Sequence, residues 1–310
     1  MKAYKGFDKD LKCREFQYEV GKEYEEENSA LCKKGFHACE NPLDTFRYYA
    51  PTDSRYCEVD VDDNGERNSY DSKVCGKHIR IGAEIGLKGV INAFVRFVLD
   101  KCESATEENA SGWSGNAAAS GDSGNAAASG DSGNAAAPGD SGNAAASGDS
   151  GNAAASGDSG NAAASGARGN AAASGARGNA ATSGDSGNAA ASGDSGNAAA
   201  SGWRGNAAAS GDSGNAAASG ARGNAAASGV RGTASVTGPY GKASALGEQC
   251  LAVAWGQDSL ARGAVGNWIV VSERDDDGNI IDAKIAKVDG DTIKADTWYK
   301  LANGAIVEEK

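Results

Sequence analysis

From Asn116 to Asn224 an asparagine recurs every nine residues, thirteen times, at the head of the unit Asn-Ala-Ala-Ala-Ser-Gly-Asp-Ser-Gly. The period continues in altered form at Thr233, Lys242 and Leu251. A further unit begins at Leu260 before the frame slips at Val265, which gives about seventeen copies. A strict period of this kind marks stacked structural repeats, each of which touches only its neighbours. Five residues followed by Gly-x-x-Gly read as a short strand and a tight turn, with glycine supplying the positive φ that a sharp corner needs. Nine residues are too few to close a coil. Two units, 18 residues, make a flattened coil with two strands and two corners, and coils stack at about 4.8 Å. Eight or so coils then span roughly 40 Å. The competing reading, a disordered Gly/Ser/Ala linker, requires neither a fixed Asn nor a strict period.

The altered copies distinguish inside from outside. With the Asn as position 1, position 2 is Ala in every copy, through Ala234, Ala243, Ala252 and Ala261. Position 4 is Ala except at Thr182, Val236 and Gly263. Positions 1, 3 and 5 admit Lys242, Arg262, Leu246 and Trp255, too large for a narrow interior. Alternation along a strand therefore turns positions 2 and 4 inward and 1, 3 and 5 outward, with Ala154 among the residues expected to face solvent. The core is Ala against Ala, so backbone ladders and close packing must hold the coil. The Asn residues are expected to stack into a side-chain ladder that also satisfies turn backbone groups.

The rest of the chain divides around this array. Residues 1–108 form a small α+β domain, 109–265 the solenoid, and 266–310 a β-meander that caps its open strand edges. The fold class is thus mainly β. The chain has 310 residues and net charge −12, and no part is basic: 17 basic against 22 acidic side chains in 1–108, five against eight in 109–232, and eight against 12 in 233–310. A phosphate-neutralising surface for nucleic acid is disfavoured. No apolar run is long enough to span a membrane, and the start lacks the apolar stretch of a signal peptide. The expected location is the cytoplasm, or a released or virion-associated state.

All six Phe and six of the seven Cys lie in the first third. Short strands are expected at Tyr4–Phe7, Phe16–Tyr18, Gly35–Ala38, Tyr56–Val61 and His78–Ile85, with helices at Pro42–Tyr49 and Leu87–Lys101. The stretch from Cys32 through His37 to Cys39 suggests zinc, but it lacks a Cys-x-x-Cys pair. With Cys13, Cys57, Cys75, His78 and Cys102 scattered singly, free thiols are the better reading. An odd count also speaks against a complete disulfide framework.

Three segments carry a resemblance: Lys2-Ala3-Tyr4-Lys5-Gly6-Phe7, Phe16-Gln17-Tyr18-Glu19-Val20-Gly21-Lys22, and Gly35-Phe36-His37-Ala38-Cys39 with Pro42-Leu43-Asp44. They resemble an uncharacterised domain of phage, prophage and gut-bacterial proteins. In that family the domain precedes a Gly/Ala/Ser-rich array and a C-terminal segment like Asp296-Thr297-Trp298-Tyr299. The resemblance implies no activity.

Started at Gly, the repeat also resembles the calcium-binding nonapeptide of RTX toxins. The calcium-binding Asp of that motif falls on Ala here, as at Ala117 and Ala126, so no metal site is expected. The acidic corners, such as Asp122 and Asp131, read as a solvated edge. In five copies the acidic residue is absent and the next corner residue is Arg, at Arg168, Arg177, Arg204, Arg222 and Arg231. Trp113 and Trp203 also occupy corners, and with Arg204 they are the candidate surface contacts. No catalytic, cofactor-binding or metal-ligating residue is nominated.

The functional expectation is a non-enzymatic rod that spaces or displays its end domains, with self-association into an oligomer or filament. The second is a repetitive binding surface for ice, a polysaccharide or a host. A third rests on the Gly35-Phe36-His37 strand and the helix ending in Tyr48-Tyr49. These loosely resemble the core of ADP-ribosyltransferases, with Glu84 in the place of a catalytic acid.

Overall fold

The computed structural model describes residues 1–67, 71–102, 109–110 and 115–309, in two compact units, Met1–Phe97 and Val98–Lys310. Among the described residues no helix is long and apolar enough to cross a membrane.

In the first unit the expected α+β domain is a small antiparallel barrel with one helix. Strands β1 (Lys2–Asp8), β2 (Glu23–Glu25), β3 (Phe36–Cys39), β4 (Ser54–Asp63) and β5 (Lys73–Glu84) join in the order β2-β5-β3-β1-β4, and β4 returns to pair with β5. That last pairing closes β5, β3, β1 and β4 into a barrel and leaves the short β2 as an edge on β5. Alternate residues point inward, so Ala3 and Phe7 of β1, Val59 and Val61 of β4, and Ile79 and Ile81 of β5 fill the interior. Between β3 and β4 the expected helix is a 3-10 turn, Pro42–Arg47. Asn41 caps it by accepting from the Leu43 amide at 3.0 Å, and Pro42 presets the first φ. Helix α1 (Leu87–Cys102) follows, with Val90, Ile91, Phe94, Val95 and Val98 buried.

The second unit is the solenoid, with 18-residue coils. Its strands alternate between two sheets of eleven strands each. One, the first sheet, holds strands such as Asn125–Ala128, Asn143–Ala146 and Asn161–Ala164. The second holds Asn134–Ala137, Asn152–Ala155 and Asn170–Ala173. Neighbours are parallel and in register at a separation of 18 residues, Asn143 opposite Asn161 and Ala153 opposite Ala171. The core is the expected one: Ala153, Ala155, Ala162 and Ala164 belong to a single buried cluster running through the array. The Asn ladder is also present. Asn188 Nδ2 donates to Asn170 Oδ1 at 2.8 Å, and Asn206 Nδ2 to Asn188 Oδ1 at 2.9 Å.

Two expectations need correction. The repeat glycines are not there for positive φ: among the described residues none between 115 and 265 has it. Close approach is the reason. A Cβ built on Gly184 would land on the carbonyl oxygen of Gly166, one coil away. Positive φ appears instead at non-glycine corners late in the array, at Arg222, Arg231, Tyr240, Gln249 and Asp258. There the corner peptide is reversed. The Ser141 amide bonds back to Asp122 O of the preceding coil, whereas the Arg222 amide bonds forward to Pro239 O.

The other correction concerns the outside. On the first sheet, positions 1 and 3 are exposed, as at Asn161 and Ala163. On the second they point away from the Ala core and are nevertheless buried: Ala154 is 1% exposed and Asn188 0%. Outward on that sheet does not mean solvent-facing.

At the C-terminal end the expected antiparallel strands are divided between the sheets. Trp268–Arg274 continues the first sheet in parallel and Ile280–Lys287 turns back on it. Tyr299–Ala302 pairs antiparallel with the last strand of the second sheet, and Ala305–Glu308 pairs with Tyr299–Ala302. The Asp-Thr-Trp-Tyr segment fastens this end. Asp296 pairs with Arg262 at 2.7 Å, Trp298 lies 4.5 Å from the same guanidinium, and Tyr299 is buried opposite Ala261. Arg262, outward by alternation, is thereby 4% exposed.

Candidate functional site

The nominated surface contacts do not assemble into a site. Trp203 is 57% exposed at its corner and Arg204 is exposed beside it, while Trp113 lies outside the described residues. Trp203 is stacked between Asp185 and Ala221, and Arg204 between Ser186 and Arg222, one coil away on either side, in a row along the surface rather than around a cavity.

Convergence occurs in the barrel. A cavity of about 520 Å³ opens beside β1, β3 and the 3-10 turn. Alternation along β1 puts Lys5 on the same inward face as Ala3 and Phe7, and it is 5% exposed. Its Nζ donates to His37 O at 2.8 Å and lies 3.6 Å from Cys13 Sγ. The Phe7 and Tyr18 rings flank it, 5.5 and 5.4 Å to their centroids. No carboxylate forms an ion pair with it among the described residues. Burial lowers its proton affinity below that of an ordinary lysine, and Arg14 adds to the effect.

His37 enters from β3, lined up by the Cys32 amide, which donates to Nε2 at 2.9 Å. Burial, followed by the charges of Lys5 and Lys73, holds its pKa below the usual range. Tyr48 and Tyr49 come from the end of the 3-10 turn. Tyr49 fits because β1 carries glycine there: a Cβ on Gly6 would lie 2.7 Å from the Tyr49 Cβ. The Tyr56 hydroxyl holds the turn by donating to Tyr49 O at 2.6 Å. Tyr48 bonds Asp71 through its hydroxyl, and Lys73 Nζ stands 3.9 Å from its ring centroid. Phe16, Tyr18 and Phe36 pack edge to face and line the cavity as well.

Residues 1–93 match the family of a domain of unknown function, DUF7666. The N-terminal unit is a DUF7666 domain, followed by a β-solenoid. No curated protein and no solved structure matches the chain.

Of the residues singled out for a transferase-like core, the DUF7666 domain brings Phe36, His37, Tyr48 and Tyr49 to one cavity. Glu84 does not line it. Its carboxylate is held by Arg55 at 2.5 Å. Lys5, Arg14 and Lys73 were not singled out as site residues, although a lysine on the apolar face of β1 was a readable signal. Among the described side chains, which leave out Cys102, the cysteines are free thiols: Cys39, Cys57, Cys75 and Cys250 are buried, Cys32 is exposed and Cys13 partly so.

The other histidine of the chain, His78, is exposed and bonded to Asp62 at 2.9 Å and Glu25 at 3.0 Å, which raise its pKa. The two imidazoles should therefore titrate on opposite sides of about 6.5. For His78, the favoured charged form supports the fold below that pH and its contribution fades as pH rises through the raised midpoint. For His37 the folded state resists protonation, so stability falls as pH drops from about 6.5 towards the lowered midpoint. Imidazole NMR titration resolves the pair. Coincident midpoints would mean that these surroundings are misassigned.

Proposed function

We propose that this chain is a non-enzymatic structural or interaction protein, in which a capped, stiff solenoid spaces or displays what lies at its ends. The supporting observation is the uninterrupted register, with each strand opposite its equivalent 18 residues on and an Asn ladder along the stack. Identical steps make length proportional to copy number. Cytoplasmic, released or virion-associated display, and a phage or prophage setting, belong to the same proposal. The apolar side chains Ile281 and Ile285, 60% and 63% exposed on the last strand of the first sheet, favour self-association at that end.

Deleting residues 125–196, four whole coils, keeps the frame. Small-angle scattering should then report a maximum dimension shorter by about 19 Å, the sum of four strand spacings, with the molecule still folded. A flexible linker would shorten by a similar amount, since its span follows about 5–6 Å × √n, so the shape of the profile decides. A Kratky plot that rises without a peak, as for a coil, would exclude the spacer. A second reading is a repetitive binding surface. It is favoured by the exposed Ala and Ser rows of the first sheet, including Ala145, Ser147, Ala163 and Ser165, which line a shallow trough. Glycan-array and thermal-hysteresis measurements test it.

A further inference from the structure

We propose that the cavity of the DUF7666 domain binds a small anion that carries an aromatic or heteroaromatic ring, the chemistry shared by nucleotides and aromatic acids. The first argument is charge. Lys5 is a buried amine whose neighbours are a carbonyl, a thiol and two rings. A buried cation without a counter-charge is costly by several kcal/mol, and structural lysines are normally paired. Lys73, partly buried, has Cys32 Sγ at 3.7 Å and the Tyr48 ring as neighbours, while the Asp71 carboxylate nearby accepts from the Tyr48 hydroxyl and the Lys73 backbone amide. The charges that His37 feels, from Lys5, Lys73 and Arg14, are all positive. The two carboxylates that line the cavity, Glu15 and Glu26, belong to exposed residues and are screened by solvent, as is Arg14, so the buried charge is that of Lys5. The interior is thus an unbalanced positive site into which an anion brings the missing charge.

The second argument is shape and surface. Six aromatic residues line this one cavity: Tyr4, the packed trio of Phe16, Tyr18 and Phe36, and the adjacent pair Tyr48 and Tyr49. Their faces and edges suit a planar ring. A volume of about 520 Å³ is within the range of small-molecule sites. The cations and the rings come from separate segments that only the barrel brings together. This proposal is independent of the spacer reading, which concerns the solenoid.

The test uses the full chain and the imidazole signals of His37 and His78 as reporters. Adenosine 5′-monophosphate and benzoate are the probes, with adenosine and inorganic phosphate as partial ligands that have the ring or the anion alone. Binding of either probe should move the His37 signals and leave those of His78 in place. Each partial ligand should bind at least about 10-fold more weakly than the nucleotide, the scale of one charge-assisted hydrogen bond. Lys5→Met and Lys73→Met should each weaken the effective probe by about 10-fold or more. Lys73 is only partly buried, so Lys73→Met decides the matter if Lys5→Met does not fold. A response to the nucleotide alone assigns a nucleotide site, and a response to benzoate alone assigns an aromatic-acid site. No movement of His37 at about 10 mM probe, well above the Kd of a weak ~1 mM site, overturns the proposal. So does binding that both lysine variants leave unchanged, and phosphate binding as tightly as the nucleotide removes the ring from the assignment.

Discussion

Gly184→Ala should destabilise the solenoid by about 3 kcal/mol, at the upper end of the usual cost of overpacking, although it adds only one methyl group, at a buried corner position. The added carbon would coincide with the carbonyl oxygen of Gly166, and backbone below backbone cannot rotate out of the way. The coils must separate locally, which breaks the ladder on both sides. Gly121→Ala provides the control. It occupies the equivalent position in the first coil, where a Cβ meets nothing within 4 Å. Thermal melts of the two variants should differ clearly, and Gly121→Ala should melt like the parent. Equal melting temperatures would show that the coils are not stacked at the distance described.

The second large effect separates the faces of a single strand. Ala162 belongs to the buried core and Ala163, next to it, is exposed. Ala162→Lys places an ammonium between two layers of methyl groups and should cost several kcal/mol. Ala163→Lys should stay within about ±0.5 kcal/mol, as surface changes do. Ala154→Lys tests the other sheet. It points away from the core like Ala163 but is 1% exposed, so it should be destabilising by about 1–3 kcal/mol or more. Hydrogen exchange along the array can locate each loss. If Ala163→Lys were the damaging change, the strands would be turned over and the Asn and Ser rows would form the core. If Ala154→Lys were silent, the outer face of the second sheet would be open to water.

The same pair of positions shows how far the sequence reaches. Alternation, together with large side chains at Lys242, Arg262 and Trp255, was enough to place the inward row. That inference needs only the period-two geometry of a strand and a size limit. Whether an outward residue then meets water depends on what else lies over that sheet, and no local pattern records it. Arg262 is the clearest case. Its size ruled it out of the Ala core, yet Asp296 and Trp298, more than thirty residues later, enclose it. Glycine gave a correct turn for an incorrect reason. The period identified the corners, but the reason for glycine lies in the next coil, where a carbonyl occupies the space that a Cβ would fill.

In the N-terminal domain four of the barrel strands and helix α1 were legible from their apolar alternation. The short polar strand Glu23–Glu25 was not, and the expected strand Phe16–Tyr18 is a two-residue strand, Phe16–Gln17, paired with Lys12–Cys13 outside the barrel sheet. The closing of the sheet through the pairing of β4 with β5 was not legible either, because a closed barrel and an open sheet share the same alternation. The cavity was half legible: His37 and Tyr48-Tyr49 stood out as a group, while Lys5 passed as part of a family motif. By itself the sequence determined the 18-residue coil, the Ala core and the Asn ladder, since each follows from a local period that repeats without change. Only the tertiary structure decided which outward rows are buried, why the corner must be glycine, and which cations share a cavity with which rings. Those are contacts between segments distant in the chain, and distance in the chain is what a local pattern does not encode.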